Sequence, residues 1–195
     1  MKSLRRRIAC HERSSCIVRR ATSGIALGIS ILLLSFASLA RIPKAATPAS
    51  ARKPAPDFIL RDANGMPIRL ADFKGRVVVL DFWATWCHGC KLEIPWFMEF
   101  EDRYKREGLS VIGVSMDDDG WKVVKPFIAA KKMNYTVVIG DDALAKQYGL
   151  GPMPMTVLID RNGRIADSHS GVVDKAKWES EIRSLLAESG GIPSN

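Results

Sequence analysis

The pattern of apolar and polar positions divides the chain from residue 57 onward into short strands and longer helices. Short runs rich in β-branched and other apolar side chains predict strands, whereas helical periodicity and capping residues predict helices. The predicted strands are residues 77–82, 109–115, 135–139, 155–160 and 165–170. The predicted helices are residues 87–107, 121–132, 142–148 and 174–188. The body of the chain therefore alternates strands with helices.

Two shorter runs before residue 77 predict a β-hairpin. Residues 57–62 and 66–70 flank the sequence Ala63-Asn64-Gly65. Asn-Gly favours a tight hairpin turn because both residues accept a positive φ angle. We therefore expect a hairpin ahead of the first long strand.

The N-terminal part has a different pattern. Residues 24–40 are seventeen residues without a charge, and as a helix they would span roughly 26 Å, slightly less than a hydrocarbon core. The preceding residues 1–23 are basic, which predicts a cytoplasmic N-terminus and a periplasmic or otherwise exported body. Residues 24–40 thus predict a single-pass anchor in the inner membrane. The alternative is a signal peptide cleaved near Ser38-Leu39-Ala40, which would leave a soluble periplasmic protein.

A linker is predicted between this segment and the folded body. Residues 41–56 contain four prolines and almost no large apolar side chain, a composition typical of a stiff, extended spacer. The folded domain is then expected to cover residues 57–190.

Charge is unevenly distributed along the chain. The formal net charge is +8, yet residues 1–54 hold eleven of the 29 Lys and Arg residues with a single acid. The remaining residues carry a slight excess of acids and are close to neutral. A nucleic-acid-binding domain would carry the basic residues itself, so nucleic acid is not an expected partner.

Two cysteines between a predicted strand and a predicted helix carry the candidate chemistry. Cys87 and Cys90 are three residues apart in the sequence Trp83-Ala84-Thr85-Trp86-Cys87-His88-Gly89-Cys90. A cysteine at a helix N-terminus favours the thiolate, and a second cysteine one turn later can close a disulfide. Half of a zinc site is the alternative, but zinc needs about four ligands. The other cysteines, Cys10 and Cys16, precede the membrane segment, so no metal is expected.

Residues 77–90 resemble the active-site strand and turn of thioredoxins, and residues 55–188 resemble the TlpA/ResA-like branch of that family. The resemblance implies a thioredoxin-like α/β fold: a mixed central sheet flanked by helices, with an N-terminal β-hairpin and a βα insertion. It implies an extracytoplasmic protein-disulfide reductase that needs no cofactor beyond its cysteine pair. It also implies a membrane thiol carrier as electron donor and exported disulfide-containing proteins, such as apocytochrome c or copper-site proteins, as substrates.

The same resemblance assigns roles to five residues. Cys87 would attack a substrate disulfide and Cys90 would resolve the mixed disulfide. Asp81 matches a buried acid that assists proton transfer to the second cysteine; the alternative is that Asp81 faces water on its strand. Glu93 completes Cys-x-x-Cys-x-x-Glu-x-Pro, where the acid tunes the pair; the alternative is a solvated glutamate. Pro154 matches a cis-proline that faces the cysteines.

Four further residues flank these positions. Trp86 and Met153, next to Cys87 and Pro154 in the sequence, are expected to contact substrate together with Pro154. His88 and Gly89 form the spacer between the cysteines and are expected to tune the redox potential, since related spacers have proline where this chain has Gly89. A protonated His88 would favour the thiolate.

Two other functions remain alternatives. A thiol peroxidase is one, although Thr85 lies two residues before Cys87 and related peroxidases have threonine three residues before. A Cu(I)-binding metallochaperone module is the other. The acidic cluster Asp117-Asp118-Asp119 lacks the spacing of a calcium loop and is expected to cap the helix that follows.

Overall fold

The structure is a computed structural model that describes residues 46–188. The predicted basic segment, the predicted anchor or signal segment, Cys10, Cys16 and the first residues of the predicted linker lie outside the described residues. Within residues 46–188, no helix combines the length and the apolar character needed to cross a membrane.

Seven strands and four α-helices follow one another in the predicted order. The strands are β1 (Ile59–Arg61), β2 (Pro67–Arg69), β3 (Val77–Trp83), β4 (Leu109–Ser115), β5 (Thr136–Ile139), β6 (Met155–Ile159) and β7 (Ile165–Ser170). The helices are α1 (His88–Tyr104), α2 (Trp121–Lys131), α3 (Asp142–Tyr148) and α4 (Lys175–Ala187). β1 and β2 form the predicted hairpin, with Gly65 of its turn at φ +80°.

The other five strands form one mixed sheet in the order β5-β4-β3-β6-β7. β3 is its central strand: it pairs in parallel with β4 and antiparallel with β6. Every residue of β3 is buried, as expected for an apolar strand covered on both faces. The expected thioredoxin-like arrangement, with a mixed sheet, an N-terminal hairpin and the βα unit β5-α3, is confirmed.

Alternation along β3 distributes its side chains between two cores. Val79 and Trp83 pack with residues of α1, α2 and α4, whereas Leu80 and Phe82 pack on the other face with the hairpin and α3, where Phe82 contacts Tyr148. Because side chains of a strand alternate between faces, Asp81 projects from the same face as Val79 and Trp83.

Helix α1 begins at the cysteine pair and ends at Tyr104, before the predicted end at residue 107. Cys87 is its N-cap, and the helix passes into a 3₁₀ turn over Lys105–Glu107. Gly108 then adopts φ +104°, a left-handed conformation that glycine takes without steric cost. Gly108 therefore ends this helical segment.

Residues 46–56 differ from the expected linker because they pack on the domain. The backbone amides of Thr47 and Ala55 donate to the carbonyls of Ala166 and Gly163, at 2.8 and 2.9 Å, and Ile165 donates to Lys53. β7 is an edge strand of the sheet, and an edge strand has unpaired backbone groups. These hydrogen bonds occupy part of that edge, so the folded unit includes residues 46–56 and does not begin at residue 57.

Candidate active site

The two cysteines lie where β3 ends and α1 begins, and they form a disulfide. Cys87 Sγ accepts a hydrogen bond of 3.1 Å from the Cys90 backbone amide. Cys87 is 5% exposed, whereas Cys90 is fully buried. A sulfur at a helix N-cap that faces an amide donor and the positive end of the helix dipole is favoured as a thiolate. The site can therefore form and break a disulfide, and Cys87 is the less buried of its two residues.

Asp81 is a buried acid on the central strand, six residues before Cys87. It is fully buried, and neither of its carboxylate oxygens has a hydrogen-bond partner among the described residues. Burial, reinforced by the nearby carboxyl of Glu93, raises the pKa of Asp81 well above its usual range. The solvent-facing alternative for Asp81 is therefore wrong, because β3 is covered on both faces.

Glu93 lies one turn beyond Cys90 on α1 and is also fully buried. Its Oε1 accepts a hydrogen bond of 2.6 Å from the Val173 backbone amide, and its Oε2 has no partner among the described residues. Burial raises the pKa of Glu93 to about 7, although the hydrogen bond from Val173 opposes this shift. An acid with such a pKa can gain or lose a proton near neutral pH. The solvated alternative for Glu93 is wrong.

Three further buried polar groups lie near this acid pair, and no pattern in the sequence predicts them. Trp83 Nε1, the Tyr135 hydroxyl and Thr156 Oγ1 have no hydrogen-bond partner among the described residues. Together with Asp81 and Glu93 they form what we call the buried polar cluster. Each group looks like ordinary core in the sequence, because an aromatic residue or a threonine in a strand is common.

The outer rim of the site joins the spacer between the cysteines to the loop before β6. Trp86 is 65% exposed, His88 is exposed, and Met153 is half-buried. A side-chain carbon built on Gly89 would lie 3.0 Å from both Pro154 Cδ and Val172 Cγ2. The spacer therefore packs closely against Pro154 and Val172, which is possible because Gly89 has no side chain.

The structure brings most of the sequence-predicted site residues together. The Met153–Pro154 peptide bond is cis, so the expected bond geometry is confirmed. His88 makes no hydrogen bond or ion pair with any residue of 46–188, and no structural feature assigns it a function. Val172, 41% exposed beside Gly89, has no signal in the sequence that could have marked it.

The loop before Cys87 is held by Asp117, which corrects its expected role as a helix cap. Asp117 accepts hydrogen bonds from the Thr85 backbone amide at 2.9 Å, the Thr85 hydroxyl at 2.6 Å and the Ser115 hydroxyl at 2.8 Å. The N-cap of α2 is Gly120, which has no capping side chain. Asp117 therefore fixes the active-site loop to the end of β4.

Within residues 46–188, no three His, Cys, Asp or Glu side chains gather closely enough to hold a metal ion. The described site contains the disulfide, the two buried acids and the residues that position them.

Comparison with known proteins finds one matching family model and several related proteins. The sequence model described as the AhpC/TSA family matches residues 51–168. The thiol-disulfide oxidoreductase ResA of Geobacillus thermodenitrificans is 34% identical over 132 residues, covering 67% of this chain and 75% of that protein. ResA of Bacillus subtilis is 33% identical over 124 residues, covering 63% and 68%.

Two solved structures show the same architecture. A protein of Chlorobium tepidum, assigned as the thiol:disulfide interchange protein DsbE, has a TM-score of 0.66 at 34% identity and covers 70% of this chain and 97% of that one. StoA from Bacillus subtilis has a TM-score of 0.56 at 25% identity and covers 65% and 96%.

Proposed function

Since this chain belongs to the AhpC/TSA family and is a thiol-disulfide oxidoreductase similar to ResA, we propose that it reduces disulfides of exported proteins outside the cytoplasm. The observation that carries the proposal is the unequal cysteine pair. A slightly exposed cysteine at a helix N-cap precedes a fully buried cysteine, and two acids are buried in the same domain core. This arrangement gives the two cysteines different roles: Cys87 attacks the substrate disulfide, and Cys90 resolves the mixed disulfide.

The reaction proceeds in two exchange steps from the reduced protein. The Cys87 thiolate attacks one sulfur of a substrate disulfide, forms a mixed disulfide and displaces a substrate thiolate, which takes up a proton. Cys90 then gives its proton to the buried acid pair and attacks Cys87 Sγ. The Cys87–Cys90 disulfide forms, and the second substrate sulfur leaves as a thiolate, which takes up a proton from water. The protein loses two electrons and the substrate gains them, so a thiol reductant must restore the dithiol.

Asp81 and Glu93 are the proton acceptors in this scheme. Both acids are buried on the side of the sheet where Cys90 packs, and their pKa values are raised. These features support the role, because a base works best when its pKa lies near the working pH. Trp86, Met153 and Pro154 are the proposed substrate contacts. His88 and Gly89 are the proposed tuning residues between the sulfurs.

Location and partners are part of the proposal. The basic residues before the apolar segment 24–40 support a cytoplasmic N-terminus and an exported domain, either anchored by that segment in the inner membrane or released after cleavage. A membrane thiol carrier would supply electrons, and apocytochrome c or copper-site proteins would be substrates. No cofactor beyond the two cysteines enters the scheme.

The peroxidase and metallochaperone alternatives are less well supported. The relatives are named for thiol-disulfide exchange, and the Thr85 hydroxyl is engaged by Asp117. Enzymatic consumption of hydrogen peroxide would revive the first alternative. Stoichiometric Cu(I) binding without disulfide reductase activity would revive the second.

Two measurements test the proposal. The full chain, reduced and then freed of reductant, should reduce insulin disulfides with loss of its own two thiols, and Cys87→Ser should abolish this activity. Alkaline phosphatase fused after Asn195 should be active in cells, because that enzyme folds only outside the cytoplasm. Failure of insulin reduction contradicts the activity, whereas an inactive fusion contradicts the location.

A further inference from the structure

Unpartnered buried polar atoms are concentrated at one place in the domain. Among the described residues, eight buried side-chain oxygen and nitrogen atoms lack a hydrogen-bond partner, and six of them belong to the buried polar cluster. Buried polar atoms are almost always hydrogen-bonded in folded proteins, and each exception needs a reason. So many exceptions next to a reactive cysteine indicate a shared function.

The register of the central sheet brings these groups together. Asp81 pairs with Gly113 on β4 and with Thr156 on β6, and paired residues project from the same face of a sheet. Gly113 has no side chain, and a carbon built there would lie 2.8 Å from Trp83 Nε1 and 3.0 Å from Tyr135 Cε2. The indole and the tyrosine ring therefore occupy the space above Gly113, directly beside Asp81.

The cluster contains both donors and acceptors. Glu93 from α1 acts electrostatically on Asp81, and both acids act on Tyr135 from the segment before β5. Cys90 of the disulfide and Tyr135 belong to the same core. None of these side chains makes an ion pair with a charged residue of 46–188. Burial, with the two acids as additional causes, raises the pKa of Tyr135 well above its usual range. Tyr135 therefore keeps its proton and can only donate to a carboxylate.

We propose that Tyr135 is a positioning residue for proton transfer, whose hydroxyl donates a hydrogen bond into the Asp81–Glu93 pair when that pair is ionised. The proposal rests on the proton-accepting role given above to the two acids. The proton lost by Cys90 as its sulfur attacks Cys87 Sγ passes to the acid pair. Tyr135 retains its own proton throughout and stabilises the negative charge that exists before this transfer.

Removing the hydroxyl should make the acid pair harder to ionise. A hydrogen bond to the charged form of an acid lowers its pKa, so Tyr135→Phe should raise the pH midpoint of the buried carboxyls by about one unit. The midpoint is measured in the oxidised full chain from the ¹³C NMR signals of labelled Asp and Glu carboxyls. The pH profile for release of the second substrate thiol, followed by stopped flow, should move upward by the same amount.

Tyr148→Phe is the matched control. Tyr148 is another buried tyrosine, but its hydroxyl donates to the Pro56 carbonyl at 2.6 Å and its ring packs in the opposite core. This variant also removes the hydroxyl of a buried tyrosine and should leave both midpoints unchanged. Equal shifts in the two variants would overturn the proposal, because they would reflect general loosening of the core.

A measurement on the unmodified chain provides a second test that does not depend on a variant folding. As pH is varied, the ring ¹³Cζ chemical shift of Tyr135 should change with the same midpoint as the buried carboxyls. The ¹³Cζ chemical shift of Tyr148 should not change with that midpoint. A Tyr135 chemical shift that stays constant while the carboxyls titrate would overturn the proposal. The role of the acids is tested separately. If Asp81→Asn and Glu93→Gln leave the profile of thiol release unchanged, their proton-accepting role is wrong, whatever the carboxyl titration shows for Tyr135.

Discussion

At the scale of single residues, the two cysteines differ in what can reach their sulfur atoms. Cys87 is slightly exposed at the helix N-cap and Cys90 is fully buried. We therefore expect Cys90→Ser to accumulate a mixed disulfide between Cys87 and a substrate protein, because the resolving sulfur is gone. Cys87→Ser should trap none. Mass spectrometry after mixing with oxidised insulin distinguishes the two, and the reverse trapping pattern would reverse the assignment.

Glu93 makes a prediction about stability and pH. In the unfolded chain it ionises near its ordinary pKa of 4.5, and in the fold near about 7. Between these values the folded state holds a proton that the unfolded state has lost, so the free energy of unfolding should fall as pH rises, by about 3 kcal/mol at most. The raised pKa of Asp81 acts with the same sign.

Urea unfolding of the oxidised chain between pH 4.5 and 8 measures this slope. Glu93→Gln retains an acceptor for the Val173 amide, and should lose the part of the slope that Glu93 contributes. Glu107→Gln, at an exposed acid beyond the same helix, is the control. A slope that is identical in the two variants would show that Glu93 does not bind the proton.

Asp117 holds the loop before Cys87 in place through its carboxylate. Its carboxylate accepts two hydrogen bonds from Thr85 and one from Ser115. Asp117→Asn replaces one acceptor oxygen by a donor, so it should destabilise the fold by about 1–3 kcal/mol and slow insulin reduction several-fold by freeing the loop before Cys87. Asp118→Asn, at the exposed neighbouring acid, should change neither. Equal effects of the two substitutions would contradict the role of Asp117.

The site could be predicted from the sequence only where its residues are close in the chain or stand in a known motif. Cys87, Cys90 and Glu93 follow one another at helical spacing, and Pro154 was placed by resemblance. Asp117 contacts a residue 32 positions away, and Tyr135 reaches the acid pair only through the register of the sheet. Neither contact leaves a periodic signal in the sequence.

At the scale of elements, the side chains of Trp83 and Tyr135 pack closely over Gly113 of β4. A methyl group on Gly113 would lie within 3.0 Å of Trp83 and Tyr135, which a dense core cannot absorb. Gly113→Ala should therefore destabilise the protein by about 1–3 kcal/mol. Gly151→Ala is the control, because a carbon built on Gly151 meets nothing within 4 Å.

Urea unfolding measures both glycine variants. Adding Trp83→Phe to Gly113→Ala removes the indole nitrogen nearest to the new methyl group and should recover part of the loss. If the loss of stability in the double variant equals the sum of the losses in Gly113→Ala and Trp83→Phe, the new methyl group does not clash with Trp83.

The existence and type of the elements followed from periodicity, and most boundaries agree within a few residues. α1 ends at Tyr104 with a 3₁₀ turn to Glu107, where the sequence predicts one helix to residue 107. The strand order could not be read from local patterns, because pairing depends on contacts between distant segments. The family resemblance implied only a mixed central sheet, and the structure supplies the order β5-β4-β3-β6-β7.

At the scale of the whole molecule, the segment before the hairpin is part of the folded unit. Composition rich in proline and alanine predicts an extended spacer, and residues 46–56 are extended in large part. What composition could not show is that their backbone pairs with the edge at β7. The buried side chain of Arg52 adds ion pairs to Asp160 at 3.1 Å and to Glu188 at 2.7 Å. The segment thereby joins the β6–β7 turn to the end of α4.

The buried ion pair between Arg52 and Asp160 is expected to stabilise the fold. Asp160 is almost fully buried, and removing the cation leaves a buried carboxylate whose remaining donors are the backbone amides of Asn162 and Arg164. Arg52→Gln should lower the free energy of unfolding by about 2–3 kcal/mol. Arg69→Gln, at an exposed arginine of β2, should change the free energy of unfolding by less than about 0.5 kcal/mol.

A chain that begins at Asp57 should be less stable than one that begins at Ala46. The difference in the free energy of unfolding should be at least as large as the loss caused by Arg52→Gln, because the shorter chain also loses the backbone pairing. Urea unfolding compares all four proteins with the full chain, and equal stability of the two shortened chains would show that residues 46–56 are only a spacer.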